Sequence, residues 1–276
     1  MGTGVEVFFL PVEPGQRFAI FHAAATSKPR GVVLYAHPFA EEMNKSRRMA
    51  ALQARAFANA GFAVLQLDLY GCGDSSGDFG NATWQYWLAD LQAAAEWLQK
   101  RCAAPMHLWG LRLGALLALD FLRQTSVPFA STLFWQLPLS GEVLITQFLR
   151  LELAGDALRD RKAGATTNEL RRKVASGEVL EIAGYQLNPH LVTSVDRLRA
   201  IDLTPPVPHV LWFDIKSSGE RDLPPAAQKL VDAWNAAGIV VEHEVITGER
   251  FWTTQEIVEL PELVTATIDR FVALKP

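Results

Sequence analysis

The chain has 276 residues, of which 49% are hydrophobic and 20% charged, with a formal net charge of −4. That is ample for a buried core and fits one large α/β domain or a domain with a cap insertion; the balance lacks the basic excess of a nucleic-acid binder. No stretch approaches the ~18 consecutive apolar residues of a membrane span, and Cys72 and Cys102 stand outside any C-x-x-C pair, which argues against a disulfide framework or a cysteine metal site.

The N-terminus, Met1-Gly2-Thr3-Gly4-Val5-Glu6, has neither a basic n-region nor an apolar core, so no signal peptide is expected. Residues 5–12 and 17–23, separated by Glu13-Pro14-Gly15-Gln16, read as a β-hairpin. Residues 31–36 form a continuous apolar run suited to a strand buried on both faces. Helical spacing of Met49, Leu52, Ala56, Phe57 and Ala60 predicts a helix over 44–60, ending at Gly61, before a strand over 62–67. A second helix covers 83–99, with Asn81 as its expected N-cap. A strand at 106–109, a helix at 113–123 and an apolar run at 131–137 follow.

After Pro138 the sequence is richer in charge, with helical stretches at 143–158 and 167–174 and a short strand and turn within 176–185. Residues 139–205 are therefore expected to form a cap or lid inserted between core segments 1–138 and 206–276. The core resumes with strands at 207–213 and 239–246 and helices at 224–237 and 261–274. Strands alternating with helices imply a mostly parallel sheet covered on both faces. The antiparallel start and the late insertion point to the α/β-hydrolase fold, whose ligands lie at the carboxyl ends of the strands.

Four loops should converge there. Trp109-Gly110-Leu111-Arg112-Leu113-Gly114 has the strand, Gly-flanked turn and helix of a G-x-S-x-G nucleophile elbow. Its central residue is Arg112, and a guanidinium stays protonated and cannot attack a carbonyl. At a helix N-terminus it makes an anion pocket, or is neutralised by Glu41, Glu42 or Asp222. The loop His37-Pro38-Phe39-Ala40-Glu41-Glu42-Met43-Asn44-Lys45-Ser46-Arg47-Arg48 should supply one oxyanion amide, from Phe39 or Ala40, and Leu113 the other. Its polar density suggests a ligand site through Glu41, Glu42, Asn44 and Arg47; the plainer alternative is a solvated helix start. His37 is expected to organise this loop.

Gly73-Asp74-Ser75-Ser76-Gly77 matches G-x-S-x-G by letter, but no strand ends and no helix begins at Ser75, so a turn in which Asp68 and Ser75 bond their own backbone is expected. Asp222, before Pro224-Pro225, stands at the acid position, with helix N-cap as its plainer role. The loop where the base belongs, Thr247-Gly248-Glu249-Arg250-Phe251-Trp252-Thr253-Thr254, contains no histidine, and Phe251 or Trp252 stands in its place. His243, between Glu242 and Glu244, is expected to face solvent.

The motifs around His37–Arg48, Asp68–Gly77 and Trp109–Gly114, with Gly184-Tyr185-Gln186-Leu187 and Gly248-Glu249-Arg250-Phe251-Trp252, resemble the exosortase A system-associated hydrolase 2 family over essentially the whole chain. The resemblance implies an α/β-hydrolase-superfamily protein of the bacterial cytoplasm, tied to exosortase/PEP-CTERM loci that also carry exopolysaccharide genes. An anionic sugar, acyl or polyprenyl-phosphate intermediate is the kind of ligand such a locus suggests.

Three readings follow from the residues. The first is a degenerate hydrolase binding a small anionic ligand through Arg112, the Phe39 and Leu113 amides, Glu41, Glu42, Asn44, Arg47 and Asp222. The second is an active esterase- or thioesterase-like hydrolase in which Glu41, Glu42 or Asp222 activates water and Arg112 stabilises the oxyanion. The third is a scaffold whose site is closed by ion pairs. No cofactor or metal is called for, no nucleic-acid or membrane-spanning partner is expected, and a homodimer is compatible with the sequence.

Overall fold

A computed structural model describes residues 4–158, 166–217 and 222–274. Its frame is an 8-stranded sheet in the order β1-β2-β4-β3-β5-β6-β9-β10. The hairpin β1 (Val5–Pro11) and β2 (Gln16–His22) enters antiparallel; β3 (Gly31–Ala36), β4 (Phe62–Leu67), β5 (Met106–Leu111), β6 (Ser131–Trp135), β9 (His209–Lys216) and β10 (Val240–Thr247) run parallel. Strands β3, β5 and β6 are buried at every position, which explains their unbroken apolar runs.

Helices cover both faces. On one side α1 (Glu41–Asn59) and α8 (Pro261–Ala273) enclose a core that includes Phe57, Trp109, Trp135 and Phe271. The other side holds α2 (Trp84–Arg101), α3 (Leu113–Gln124) and α7 (Pro225–Ala236) over Leu91, Leu116, Trp212 and Trp234. Between β6 and β9 lie α4 (Gly141–Leu158), α5 (Thr167–Ala175), the hairpin of β7 (Leu180–Ile182) and β8 (Tyr185–Leu187), and α6 (Pro189–Asp196). Part of the stretch joining α4 to α5 lies outside the described residues.

Several element ends differ from expectation: β5 runs to Leu111 rather than 109, β9 to Lys216 rather than 213, and two helix starts shift. Helix α1 begins at Glu41 rather than at 44, because its first turn is polar and only Met43 there is buried, so apolar periodicity starts late. Helix α2 is capped by Thr83, whose hydroxyl accepts from the Tyr86 amide at 3.2 Å; Asn81 instead belongs to a short 3-10 turn, Phe79–Asn81.

One buried pair had no sequence signal. Arg17 and Asp90, 73 positions apart, meet at 2.6 Å with both side chains fully buried. Asp90 also accepts from the Tyr70 amide at 2.7 Å, fixing the start of the loop after β4 to α2.

Candidate functional site

The sheet's carboxyl end carries three strained turns. Ala40 (φ 49°), Arg112 (φ 54°) and Gln136 (φ 53°) follow β3, β5 and β6, three neighbouring central strands, and none is glycine. Such conformations cost about 1–3 kcal/mol each and persist only where the surroundings impose them. At Arg112 the imposing groups are the flanking glycines: a Cβ on Gly114 would collide with the Ala36 carbonyl oxygen, and one on Gly110 with the backbone of Ala115. The strand therefore turns into α3 with almost no room, which thrusts residue 112 outward. This is nucleophile-elbow geometry with an arginine at its apex.

Arg112 is only 12% exposed in its side chain. Its Nη2 donates to Glu42 Oε1 at 3.1 Å and its Nε to the same oxygen at 3.3 Å. Nη2 also donates to Gln147 Oε1 on α4 at 3.0 Å, and the guanidinium lies 5.6 Å from the centre of the Trp252 ring. Burial pushes the Glu42 carboxyl above its ordinary range, and the Arg112 charge opposes that rise without cancelling it.

This pair borders a cavity of about 390 Å³. Its charged and polar wall comprises Glu41, Glu42, Lys45, Arg112, Arg250, Gln136, Gln147 and Thr253; its apolar wall includes Phe39, Leu144, Phe148, Leu151 and Trp252. Lys45 pairs with Glu41 at 3.5 Å. Arg250 has no carboxylate in salt-bridge range among the described residues. The amide of Leu113, the first residue of α3, has no hydrogen-bond acceptor among the described residues, and helix N-termini favour anions.

Of the residues singled out from sequence, Arg112, Phe39, Glu41, Glu42 and Trp252 come together at the cavity, while Leu113 follows Arg112 at the start of α3 without lining it. The others serve different contacts. His37 is buried, its Nδ1 2.7 Å from the Pro38 carbonyl and its Nε2 accepting from the Leu69 amide at 3.2 Å; burial lowers its pKa, and it ties two strand-end loops together. Arg47 grips Asp68 with two bonds, at 3.2 and 2.9 Å, and takes Asn44 as a further partner at 3.3 Å. Asn44 in turn reaches the Tyr185 hydroxyl at 3.4 Å. Asp222 is exposed and lines no part of the cavity; its carbonyl accepts from Lys216, and the helix behind it is capped by Pro224, not by the Asp222 side chain.

Ser75 is fixed as a loop residue. Its hydroxyl donates to the Asp68 carbonyl at 2.5 Å and accepts from the Phe18 amide at 2.9 Å, binding the loop to β2. His243 does not face solvent as its acidic neighbours suggested. Its Nε2 lies 3.0 Å from Asp214 Oδ2, while Asp214 Oδ1 accepts from Trp212 Nε1 at 2.9 Å. The alternation of β10 turns Glu242 and Glu244 to one face and His243 to the other.

A serine and a histidine do meet in this chain. Ser131 Oγ and His107 Nδ1 are 2.8 Å apart, but at the amino ends of β6 and β5, opposite the elbow. Burial holds His107 down to about 4, so it is a weak base, and Ser131 is buried. At the base position Phe251 and Trp252 are buried aromatics packed 5.0 Å apart. Sequence reasoning missed Lys45, Gln136, Gln147 and Arg250 as cavity residues. The glutamines carry no charge signal, while the two cations read as ordinary surface residues.

Comparison with known proteins agrees with this architecture. Est1E from Butyrivibrio proteoclasticus, solved with ferulic acid bound, superposes with a TM-score of 0.66 at 16% identity, covering 96% of this chain and 97% of that one. XC6422 from Xanthomonas campestris, an α/β serine hydrolase without a lid, gives 0.60 at 14% identity over 100% and 99%. At these identities the likeness is one of fold. Human protein ABHD12B is 29% identical over 126 residues, covering 39% of this chain and 33% of that protein, so the match spans about a third of the relative's length. The family Hydrolase_4 (serine aminopeptidase, S33) matches residues 27–191, more than half of the sequence, and the chain belongs to that family.

Proposed function

We propose that this α/β-hydrolase-fold protein binds a small anionic ligand at its elbow and does not form an acyl-enzyme. One observation carries the reading: the apex of the elbow, held in strained backbone between two glycines, presents the Arg112 guanidinium to a cavity. Acyl transfer on this frame needs a nucleophile with an adjacent base. Here the first position is a permanent cation and the second is aromatic. Arg112, Lys45 and Arg250 against Glu41 and Glu42 leave the wall one positive charge in excess, which favours an anion. The Leu113 amide supports the same side of the ligand. Residues 139–205 act as a cap through α4. The exosortase-associated membership suggested by the motifs is part of this proposal, as is a ligand from exopolysaccharide-linked metabolism and a cytoplasmic location.

Thermal-shift and calorimetric titration with acetate, phosphate, citrate and sugar phosphates tests it. Anions that raise the midpoint of the wild type should lose that effect in Arg112→Met. Equal stabilisation of both proteins would place anion binding elsewhere.

Glu42 favours a second reading. A carboxylate with a raised pKa beside a cation and a free amide is suited to activating water. Turnover of p-nitrophenyl acetate that disappears in Glu42→Gln would establish it in place of the binding reading.

A further inference from the structure

We propose that the anion held at Arg112 is the carboxylate of a medium-chain acyl compound, with its tail lying along α4; this rests on the anion-binding reading above. Glu42 presents a carboxylate to Arg112 Nε and Nη2 at 3.3 and 3.1 Å, so the slot fits a planar, singly charged group. A ligand carboxylate takes that place by exchange. Glu42 is predisposed to yield, because burial already disfavours its charged form and it takes up a proton when the guanidinium turns to the ligand. The charged groups facing it among the cavity residues are Glu41 and Lys45 from its own helix, Arg112 from the elbow and Arg250 from the loop after β10; α4 contributes only the neutral Gln147.

Leu144, Phe148 and Leu151 follow one another at four and three positions and all line the cavity, so they form a single apolar stripe along α4. At 1.5 Å of rise per residue the stripe is about 10 Å long. Phe39 continues it, packing edge-on against Phe148 with ring centres 5.0 Å apart. Gln147, midway along the stripe, reaches Arg112, so the stripe runs beside the place where the carboxylate would sit. A bare phosphate or acetate would leave this wall unused.

Calorimetry with octanoate, acetate and 1-octanol tests the proposal on the intact protein. Each buried methylene is worth roughly a fourfold change in affinity, so octanoate should bind at least about 50-fold tighter than acetate even with half its chain covered. It should also bind at least about 10-fold tighter than octanol, and Arg112→Met should erase that second difference. Leu151→Gln, at a position 39% exposed and therefore tolerant, should weaken octanoate several-fold more than it weakens acetate. If octanoate and acetate bind alike and both are lost in Arg112→Met, the tail is refuted while the anion site stands. If octanoate binds Arg112→Met as well as wild type, the anion site itself is refuted.

Discussion

Arg112 Nη2 and Glu42 Oε1 lie 3.1 Å apart, joining the elbow to the first turn of α1 in the wall of the cavity. Both side chains are mostly buried, so each depends on the other for charge compensation. Arg112→Met strands the Glu42 carboxyl and should destabilise the fold, whereas Arg112→Met with Glu42→Gln should recover most of the loss. A double-mutant cycle in urea should return a coupling of about 1–3 kcal/mol. Additive single changes would mean that the two charges are compensated by solvent instead.

Restoring the letter pattern of the elbow should not restore chemistry. Arg112→Ser rebuilds G-x-S-x-G, but the partner position holds Phe251, which cannot accept a proton. Hydrolysis of p-nitrophenyl acetate by Arg112→Ser should stay at the uncatalysed background. A clear burst followed by turnover would reveal a base that this account lacks.

The elbow's glycines were legible as a motif, and the structure supplies the reason they cannot change. Gly114→Ala drives a methyl into the Ala36 carbonyl and must push α3 off the sheet. The expected loss is about 1–3 kcal/mol, read as an earlier urea midpoint with an unchanged slope. A neutral outcome would mean that the helix can slide without cost.

Acid should weaken the protein through His107. Its folded-state pKa is about 4 against an ordinary 6.5, so the unfolded chain binds more protons between those values. Stability is full above pH 6.5 and falls as the pH drops toward 4, by about 3 kcal/mol from this residue alone. His107→Gln should flatten that part of the stability–pH curve. An unchanged slope would assign the acid sensitivity to other groups.

Ser75→Ala removes two hydrogen bonds, one that fastens the loop after β4 to β2 and one that closes the loop on the Asp68 carbonyl. It should cost about 1–2 kcal/mol by thermal or chemical denaturation. An organophosphonate serine probe should leave wild-type Ser75 unmodified by intact mass. An adduct on a Ser75 peptide would make this loop, not the elbow, the chemical centre.

The fold was readable because its signals are local. Six-residue apolar runs such as Gly31–Ala36 admit little but a buried strand, and Gly61, Gly110 and Gly114 punctuate the elements they border. The arginine at the elbow was equally local, being one letter in a short motif. What sequence could not reveal depends on contacts between distant positions. Arg17 finds Asp90 across 73 residues, and His243 finds Asp214 across 29. Neither partner is marked by spacing. Choosing among Glu41, Glu42 and Asp222 as the partner of Arg112 likewise required the angle at which α1 leaves the sheet.

A crystal of this protein soaked with citrate should show an anion bound to the Arg112 guanidinium and the Leu113 amide, with Glu42 turned away from the arginine. A guanidinium still locked on Glu42 while citrate sits elsewhere, or covalent density on a serine, would contradict anion binding at the elbow.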